Sequence, residues 1–190
     1  NLSDMGGGIY CKNSDVVLND DNIVNNFTTQ YGGGVFITNG GTLTISNSII
    51  SNNSASQYGG GGIYFESGSS ITIRNSLINN NSSNGQGGGI NGTYASLDLS
   101  NILISNNSSS QGGGIFNSNV NMIADSVNII NNSSTNGGGG LWLQEGGATT
   151  NIANSFIIGN ITNQKGGGFY LDNNDVLLTN SIISENIANQ

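Results

Sequence analysis

A run of three glycines followed by a large aliphatic and an aromatic residue recurs through this chain at a nearly constant interval. It first occurs as Gly6-Gly7-Gly8-Ile9-Tyr10. The last glycines of the seven runs stand at positions 8, 34, 62, 89, 114, 140 and 168, so neighbouring runs are 25 to 28 residues apart. Such a sustained period is typical of repeat proteins, in which each unit packs only on its neighbours. The spacing therefore predicts a solenoid and not a domain with one central core.

Two further positions recur with the same period. An isoleucine is followed three residues later by an asparagine, and six residues before that asparagine stands another Asn or Asp, shifted by one in the fifth repeat. Because asparagine tolerates positive φ and its amide can bond to an identical amide one repeat away, we predict corners with stacked amide ladders. The pairs are Ile23/Asn26, Ile50/Asn53, Ile78/Asn81, Ile104/Asn107, Ile129/Asn132, Ile157/Asn160 and Ile183/Asn186, and the earlier positions are Asp20, Asn47, Asn75, Asn101, Asp125, Asn154 and Asn180.

Between these landmarks the hydrophobic period is two. Leu43 and Ile45 alternate with polar residues, as do Val35 and Ile37 after the glycines, and the same pattern recurs in the other repeats. Alternation of this kind predicts half-buried strands, and no stretch has a helical period. We predict an all-β parallel β-helix of about seven coils, each of 25–28 residues with three short strands.

The solenoid is expected to fill residues 1–190 as a single unit. Neither end carries a recognisable cap, and the terminal coils of a β-helix otherwise present open strand edges. We therefore expect the 190 residues to be a segment of a longer repeat array, or a unit that polymerises end to end.

Composition limits the partners. Only 7% of residues are charged, and 11 Asp and Glu against 3 Lys and Arg give a net charge of -8, which disfavours nucleic acid and anionic membrane surfaces. No apolar run approaches the roughly 18 residues of a membrane-spanning helix. With no His and one Cys, and with aliphatic residues where calcium-binding repeats place Asp, no metal or cofactor is expected.

The combination of the glycine run, Gly-Gly-Gly-[Ile/Val/Leu]-[Tyr/Phe/Trp], with Ile-x-x-Asn resembles the repeats of chlamydial polymorphic outer membrane proteins. The signature pairs of that family are Gly-Gly-Ala-[Ile/Leu/Val] and Phe-x-x-Asn, so this chain has Gly in place of Ala at Gly8 and Ile in place of Phe at Ile23. The resemblance implies a right-handed β-helix displayed outside the cell or on its surface, as in adhesins and other large extracellular proteins.

The residue two positions after each glycine run is a candidate contact stripe. Strand alternation places it outside the core, in line with its counterparts. Three roles are open for it: a self-stacking ladder that stiffens the rod, lateral packing against copies of the chain or other surface proteins, and stacking against carbohydrate. The aromatic residues at this position are Tyr10, Phe36, Tyr64, Phe116, Trp142 and Tyr170, with Asn91 in the fourth repeat.

Sequons for N-glycosylation, Asn-x-Ser/Thr, recur mostly at one turn of successive coils. An asparagine that points into an interior ladder could not carry a glycan, so only the outward-pointing members are acceptor candidates. The sequons begin at Asn1, Asn26, Asn52, Asn80, Asn81, Asn91, Asn106, Asn107, Asn131, Asn132 and Asn160.

Enzymatic activity is the remaining alternative, because β-helices of the pectate lyase and polygalacturonase type cleave polysaccharides. Their chemistry needs clustered carboxylates, or acids that bind calcium beside a basic residue. The set of acidic residues that comes closest to such a cluster is Glu145, Asp172 and Asp175, and no basic residue accompanies it. We therefore predict no catalytic residues and a non-enzymatic surface rod, adhesin stalk or filament, with a polysaccharide-binding or polysaccharide-cleaving β-helix as the alternative.

Overall fold

The computed structural model describes residues 2–144 and 148–189, and these form a parallel β-solenoid of about seven turns. Strands pair in parallel with their counterparts one turn away, so that Ile63 lies beside Val35 on one side and Ile90 on the other. At about 4.8 Å per turn, seven turns make a rod roughly 34 Å long. The predicted all-β parallel β-helix is confirmed, and the described residues contain no helix.

Each turn has four faces, and the three predicted strands form the first three. The first face contains β2 (Ile9–Lys12), β6 (Val35–Thr38), β10 (Ile63–Glu66), β18 (Leu141–Gln144) and β22 (Phe169–Asp172). The second contains β3 (Asp15–Asn19), β7 (Thr42–Ser46), β11 (Ser70–Arg74), β19 (Thr149–Ala153) and β23 (Asp175–Thr179). The third contains β4 (Asn22–Val24), β8 (Ile49–Ser51), β12 (Leu77–Asn79), β20 (Phe156–Ile158) and β24 (Ile182–Ser184). In the fourth and fifth turns the three strands run together as β14 (Ile90–Ser105) and β16 (Ile115–Ile130).

A fourth face, absent from the prediction, forms a separate eight-stranded sheet between the Ile-x-x-Asn motif and the next glycine run. The prediction of three strands per repeat is short by one because these residues, mostly Ser, Thr and Asn, give no hydrophobic period. The strands are β1 (Leu2–Met5), β5 (Phe27–Tyr31), β9 (Ser54–Ala55), β13 (Ser82–Ser83), β15 (Ser108–Gln111), β17 (Ser133–Gly137), β21 (Ile161–Thr162) and β25 (Ile187–Ala188).

The hydrophobic core is a set of columns along the rod axis. The isoleucine of the Ile-x-x-Asn motif forms one such column, and its five central members, Ile50, Ile78, Ile104, Ile129 and Ile157, are at most 1% exposed. The alternating residues of the first and second faces form the others. Because each turn repeats the same inward positions, the core extends along the rod and has no single centre.

The glycine runs turn the chain from the fourth face back to the first. Gly60 has a φ of +67°, and a Cβ on the following Gly61 would lie 2.4 Å from the Ser82 carbonyl oxygen and 2.5 Å from that of Gly88. No side chain fits at Gly61 without displacing backbone, so the glycine run is a steric requirement of the close approach between turns.

The Ile-x-x-Asn asparagines form a continuous ladder inside the rod, here called the inner ladder: Asn26, Asn53, Asn81, Asn107, Asn132, Asn160 and Asn186. The Asn107 Nδ2 donates to Asn132 Oδ1 at 3.0 Å and to the Ile78 carbonyl oxygen at 3.0 Å. Its Oδ1 accepts from the backbone N of Asn81 at 2.9 Å and from Asn81 Nδ2 at 3.1 Å. The predicted amide ladder is confirmed, and its members from Asn53 to Asn160 are at most 1% exposed.

Positive φ lies at other residues than the inner ladder. The residue immediately before each ladder asparagine has it, for example Asn52 at +56° and Asn80 at +54°. The earlier landmark also has it, for example Asn101 at +51°. In the fifth turn the residue in register with Asn101 is Ser126, at +57°, and Asp125 precedes it, which explains the apparent shift by one position.

Candidate binding surfaces

The six aromatic residues that follow the glycine runs lie in one column outside the core, here called the aromatic line. Strand register places them side by side, with Asn91 between Tyr64 and Phe116. The ring centroids of Tyr10 and Phe36 are 5.4 Å apart, and those of Trp142 and Tyr170 are 4.1 Å apart. The self-stacking interpretation therefore fits two stretches of the line, which Asn91 interrupts.

The aromatic line is largely covered, so the expectation of an exposed stripe is wrong for its interior members. Phe36, Tyr64, Phe116 and Trp142 are between 1% and 8% exposed, and only Tyr10 at the first turn is exposed, at 49%. The cover is the end of the fourth face, where the chain runs over the line before each glycine run. The ring of Tyr31 lies there, with its centroid 5.9 Å from that of Phe36 and 4.6 Å from that of Tyr64.

Within the aromatic line, Tyr64 forms a hydrogen bond with a charged side chain, that of Glu66. Its hydroxyl donates to Glu66 Oε2 at 3.1 Å, and the other carboxylate oxygen of Glu66 accepts from the Thr38 hydroxyl at 3.1 Å. Burial, aided by the negative charge of Glu66, raises the pKa of Tyr64 far above its ordinary value. Burial also raises the pKa of Tyr31, with smaller contributions from Tyr58 and Glu66. Both tyrosines therefore remain neutral donors at neutral pH.

A cleft of ≈ 370 Å³ lies where the aromatic line gives way to amides, and we call it the tyrosine cleft. Its aromatic wall is a cluster of three rings, with Tyr58 stacked on Tyr31 at 4.7 Å and an interplanar angle of 16°. Tyr58 is 51% exposed. The lining residues are Tyr31, Gln57, Tyr58, Tyr64, Gly85, Gln86, Ser110 and Gln111.

The structure divides the predicted glycosylation sites into two groups. Asn160 belongs to the inner ladder, as do Asn81, Asn107 and Asn132, and these side chains and that of Asn91 are buried, so they present no amide to solvent. Asn26 is the half-buried first member of the same ladder, and its Nδ2 donates to Asn53 Oδ1. Four sequon asparagines are exposed and occupy equivalent corners of consecutive turns: Asn52, Asn80, Asn106 and Asn131. Asn1 lies outside the described residues.

The charged residues are dispersed. Asp172 and Asp175 are both exposed, at the end of one strand and the start of the next, and Glu145 lies outside the described residues. Arg74 pairs with Asp98 at 3.2 Å in an exposed ion pair. Within 2–144 and 148–189 no three His, Cys, Asp or Glu side chains lie close enough together to hold a metal ion. The same ranges contain no helix long and apolar enough to cross a lipid bilayer.

Sequence reasoning missed an exposed row of apolar side chains on the third face, here called the apolar stripe. Its members occupy the first outward position of the strand, and Ile49, Phe156 and Ile182 are 39%, 42% and 51% exposed. The signal in the sequence was a pair of adjacent apolar residues, as in Ile49-Ile50, because only one of two neighbours in a strand can point inward. In register the stripe consists of Ile49, Leu77, Leu103, Phe156 and Ile182, with Asn128 between the third and fourth.

Comparison with known proteins identifies one family. The sequence model of the family described as 'right handed beta helix region' matches residues 1–157, which comprise the first five turns and most of the sixth. No curated protein sequence and no solved structure matches the chain significantly.

Proposed function

Since the chain belongs to the right-handed β-helix family, we propose that it is a structural protein, an extracellular rod that serves as a surface stalk, an adhesin stalk or a filament. The observation that carries the proposal is the equivalence of the turns. The same inner ladder, with Nδ2 to Oδ1 distances of 2.9 to 3.1 Å, runs from Asn26 to Asn186. A chain whose turns repeat one set of contacts suits a stiff spacer.

The absence of catalysis is part of the proposal, because the family contains both pectin lyase-like enzymes and proteins without activity. The support is the placement of the described acids. Asp172 and Asp175 are exposed, and the basic residue Arg74 is held by Asp98 on another part of the rod. General acid–base chemistry on a polysaccharide uses two carboxyl groups that face each other across the scissile bond. Turnover of polygalacturonate that is lost in Asp172→Asn would overturn the structural proposal in favour of a polysaccharide-cleaving β-helix.

We propose lateral association between copies of the chain through the apolar stripe, in place of the covered aromatic line. The strands of the third face, with residues 102–105 of β14 and 127–130 of β16, contain no Asp, Glu, Lys or Arg, whereas the whole chain has a net charge of -8. Two copies that meet through the strands of this face bring no charged side chain of those strands together, so these strands add no repulsion to the contact.

Sedimentation velocity over a range of protein concentrations tests the lateral contact. We expect the chain to associate as concentration rises, and Phe156→Ser to weaken association by removing the largest side chain of the stripe. Ile123→Ser is the matched control, because Ile123 is 57% exposed on the second face. A chain that stays monomeric, or one that loses association equally in both variants, contradicts the lateral contact and leaves the rod proposal standing.

End-to-end stacking is proposed for the seventh turn. Its inward residues are uncovered, with Leu171, Leu178 and Ile183 at 47%, 41% and 48% exposed, whereas the equivalent residues of the sixth turn are buried. A further turn, from the same chain or from a second copy, would bury them and continue both sheets. Electron microscopy of native material distinguishes filaments from short rods.

Surface display and glycosylation are proposed together. The resemblance of the repeat to surface-displayed chlamydial proteins supports the first, and the exposed line of Asn52, Asn80, Asn106 and Asn131 supports the second. An outward amide at a corner is accessible to a bulky, solubilising glycan without disturbing the core. Intact mass measurement of native material checks this proposal, and a mass equal to that of the bare polypeptide contradicts it.

A further inference from the structure

The tyrosine cleft combines a rigid aromatic surface with unused hydrogen-bonding groups. Tyr58 is half exposed, and its ring is held by stacking on Tyr31 at 4.7 Å, which in turn contacts Tyr64 at 4.6 Å. A side chain that is already ordered loses little entropy when a ligand covers it. The exposed ring of Tyr58 is therefore a preformed flat platform.

Side-chain amides line the cleft beside this platform. Gln86 Nε2 donates to Gln111 Oε1 at 3.1 Å, which fixes the two amides relative to each other. The side-chain NH₂ group of Gln111 and the side-chain oxygen of Gln86 have no hydrogen-bond partner among the described residues. The amide of Gln57, an exposed residue, makes no hydrogen bond to any part of the chain that the structure describes. The cleft thus offers both donors and acceptors within reach of a ligand on the tyrosines.

The charges around the cleft limit the class of ligand that it can bind. No charged residue lines the cleft, and the nearest carboxylate, that of Glu66, is occupied by hydroxyl donors from Tyr64 and Thr38. An anionic ligand would meet this carboxylate and the net charge of -8 without a basic residue to compensate. The ligand chemistry that fits is flat, neutral and rich in hydroxyl groups.

We propose that the tyrosine cleft binds a neutral saccharide, with the apolar face of one pyranose ring over Tyr58 and its hydroxyl groups bonded to the glutamine amides. Its volume of ≈ 370 Å³ falls near the lower end of the range of about 300–1,000 Å³ that is usual for small-ligand pockets. Stacking on the aromatic ring supplies the affinity, and the amides select the orientation of the ring. The site gives the rod a ligand-binding function beyond a mechanical one.

Saturation-transfer difference NMR and calorimetry with the full 190-residue chain test the proposal. The probes are the neutral oligosaccharides cellohexaose, xylohexaose, mannohexaose and chitohexaose, the anionic hexagalacturonate, and a polyproline peptide. We expect at least one neutral oligosaccharide to bind and its affinity to fall about tenfold in Tyr58→Ala, the loss expected for one aromatic contact. Because Tyr58 is on the rim of the cleft, this variant keeps the core intact.

Tyr94→Ala is the matched control, since Tyr94 is 59% exposed in a different turn, and it should bind as the wild type does. Gln57→Ala should weaken binding by a smaller factor than Tyr58→Ala. The proposal is overturned if no neutral oligosaccharide binds, if only hexagalacturonate or polyproline binds, or if Tyr58→Ala binds as tightly as Tyr94→Ala. Since lateral association is measured without sugar, failure of this proposal is distinct from failure of the rod proposal.

Discussion

Two asparagine columns run along this rod, and they differ in what surrounds them. In the inner ladder each central side chain is buried and makes four hydrogen bonds, as Asn107 does with Asn81, Asn132 and Ile78. The second column, here called the outer ladder, consists of Asn47, Asn75, Asn101, Asn154 and Asn180 at the corner between the second and third faces. Its members are exposed, and each amide donates one hydrogen bond to a neighbouring side chain, at distances from 2.7 to 3.4 Å.

Asparagine therefore occupies the two columns for different physical reasons. In the inner ladder the side-chain amide is required, because it forms hydrogen bonds with buried backbone and side-chain groups that water cannot reach. In the outer ladder φ is near +50°, so asparagine is favoured because it tolerates this backbone conformation, and water can replace the hydrogen bonds of its amide. Substitutions in the two columns should therefore differ in size and in chemical sensitivity.

The largest effect is expected for Asn107→Ala. The change leaves the backbone N of Asn81 without an acceptor, and Asn81 Nδ2 keeps only the Ile50 carbonyl oxygen. It also removes the Nδ2 donor from Asn132 Oδ1 and from the Ile78 carbonyl oxygen. Since each unsatisfied buried group costs about 1–3 kcal/mol, we expect a loss of about 4 kcal/mol in the free energy of unfolding. Urea denaturation followed by circular dichroism measures it.

The control is Asn101→Ala in the same turn, which removes one exposed bond and leaves alanine at positive φ. We expect it to cost only about 1 kcal/mol, the strain of a left-handed alanine. Equal losses in the two variants would contradict the distinction between the ladders.

Asn117 is a buried asparagine outside both ladders, and its replacement should change stability in the opposite direction. It is 2% exposed in an inward column between Gly92 and Leu143, and its Oδ1 has no hydrogen-bond partner. Its Nδ2 contacts only the sulfur of Met122, at 3.3 Å. Leucine has nearly the same shape, so Asn117→Leu should raise the free energy of unfolding by about 2 kcal/mol.

The measurement is again urea denaturation, with Asn107→Leu as the comparison. The same exchange of amide for isobutyl should stabilise the chain at position 117 and destabilise it at position 107, because only the latter amide has partners. A destabilised Asn117→Leu would show that burial alone, without bonding, does not make an asparagine costly here.

The sequence predicts the features that recur in every turn. The inward columns, the amide ladder and the parallel stacking all follow from the constant spacing of residues such as Ile50 and Asn53, because equal spacing places equal residues in register. The solenoid and its strands on three faces are therefore predictable from one repeat.

The features that depend on differences between turns are not predictable in this way. The residues before each glycine run vary between Tyr31, Gln86 and Gln111, and the third turn has Tyr58 followed by a fourth glycine, Gly59. These irregular residues cover the aromatic line and form the tyrosine cleft, so the local exposure at both sites depends on side chains that no repeat pattern specifies. The apolar stripe was predictable, because adjacent apolar residues in one strand place one of them outside.

The smallest effect is expected for Asn101→Gly, and it isolates the backbone requirement of the outer ladder. Glycine adopts a φ of +51° without strain, so only the exposed bond to Asn75, 2.9 Å long, is lost and water replaces it. We expect the free energy of unfolding to change by no more than about 0.5 kcal/mol, whereas Asn101→Val should cost about 1–2 kcal/mol because its branched Cβ is strained at this φ. The fifth turn already has Ser126 at the equivalent position, so the corner does not require an amide. If Asn101→Gly proves as costly as Asn101→Val in urea denaturation, the outer amides and not the backbone conformation stabilise that corner, and the two ladders would be alike.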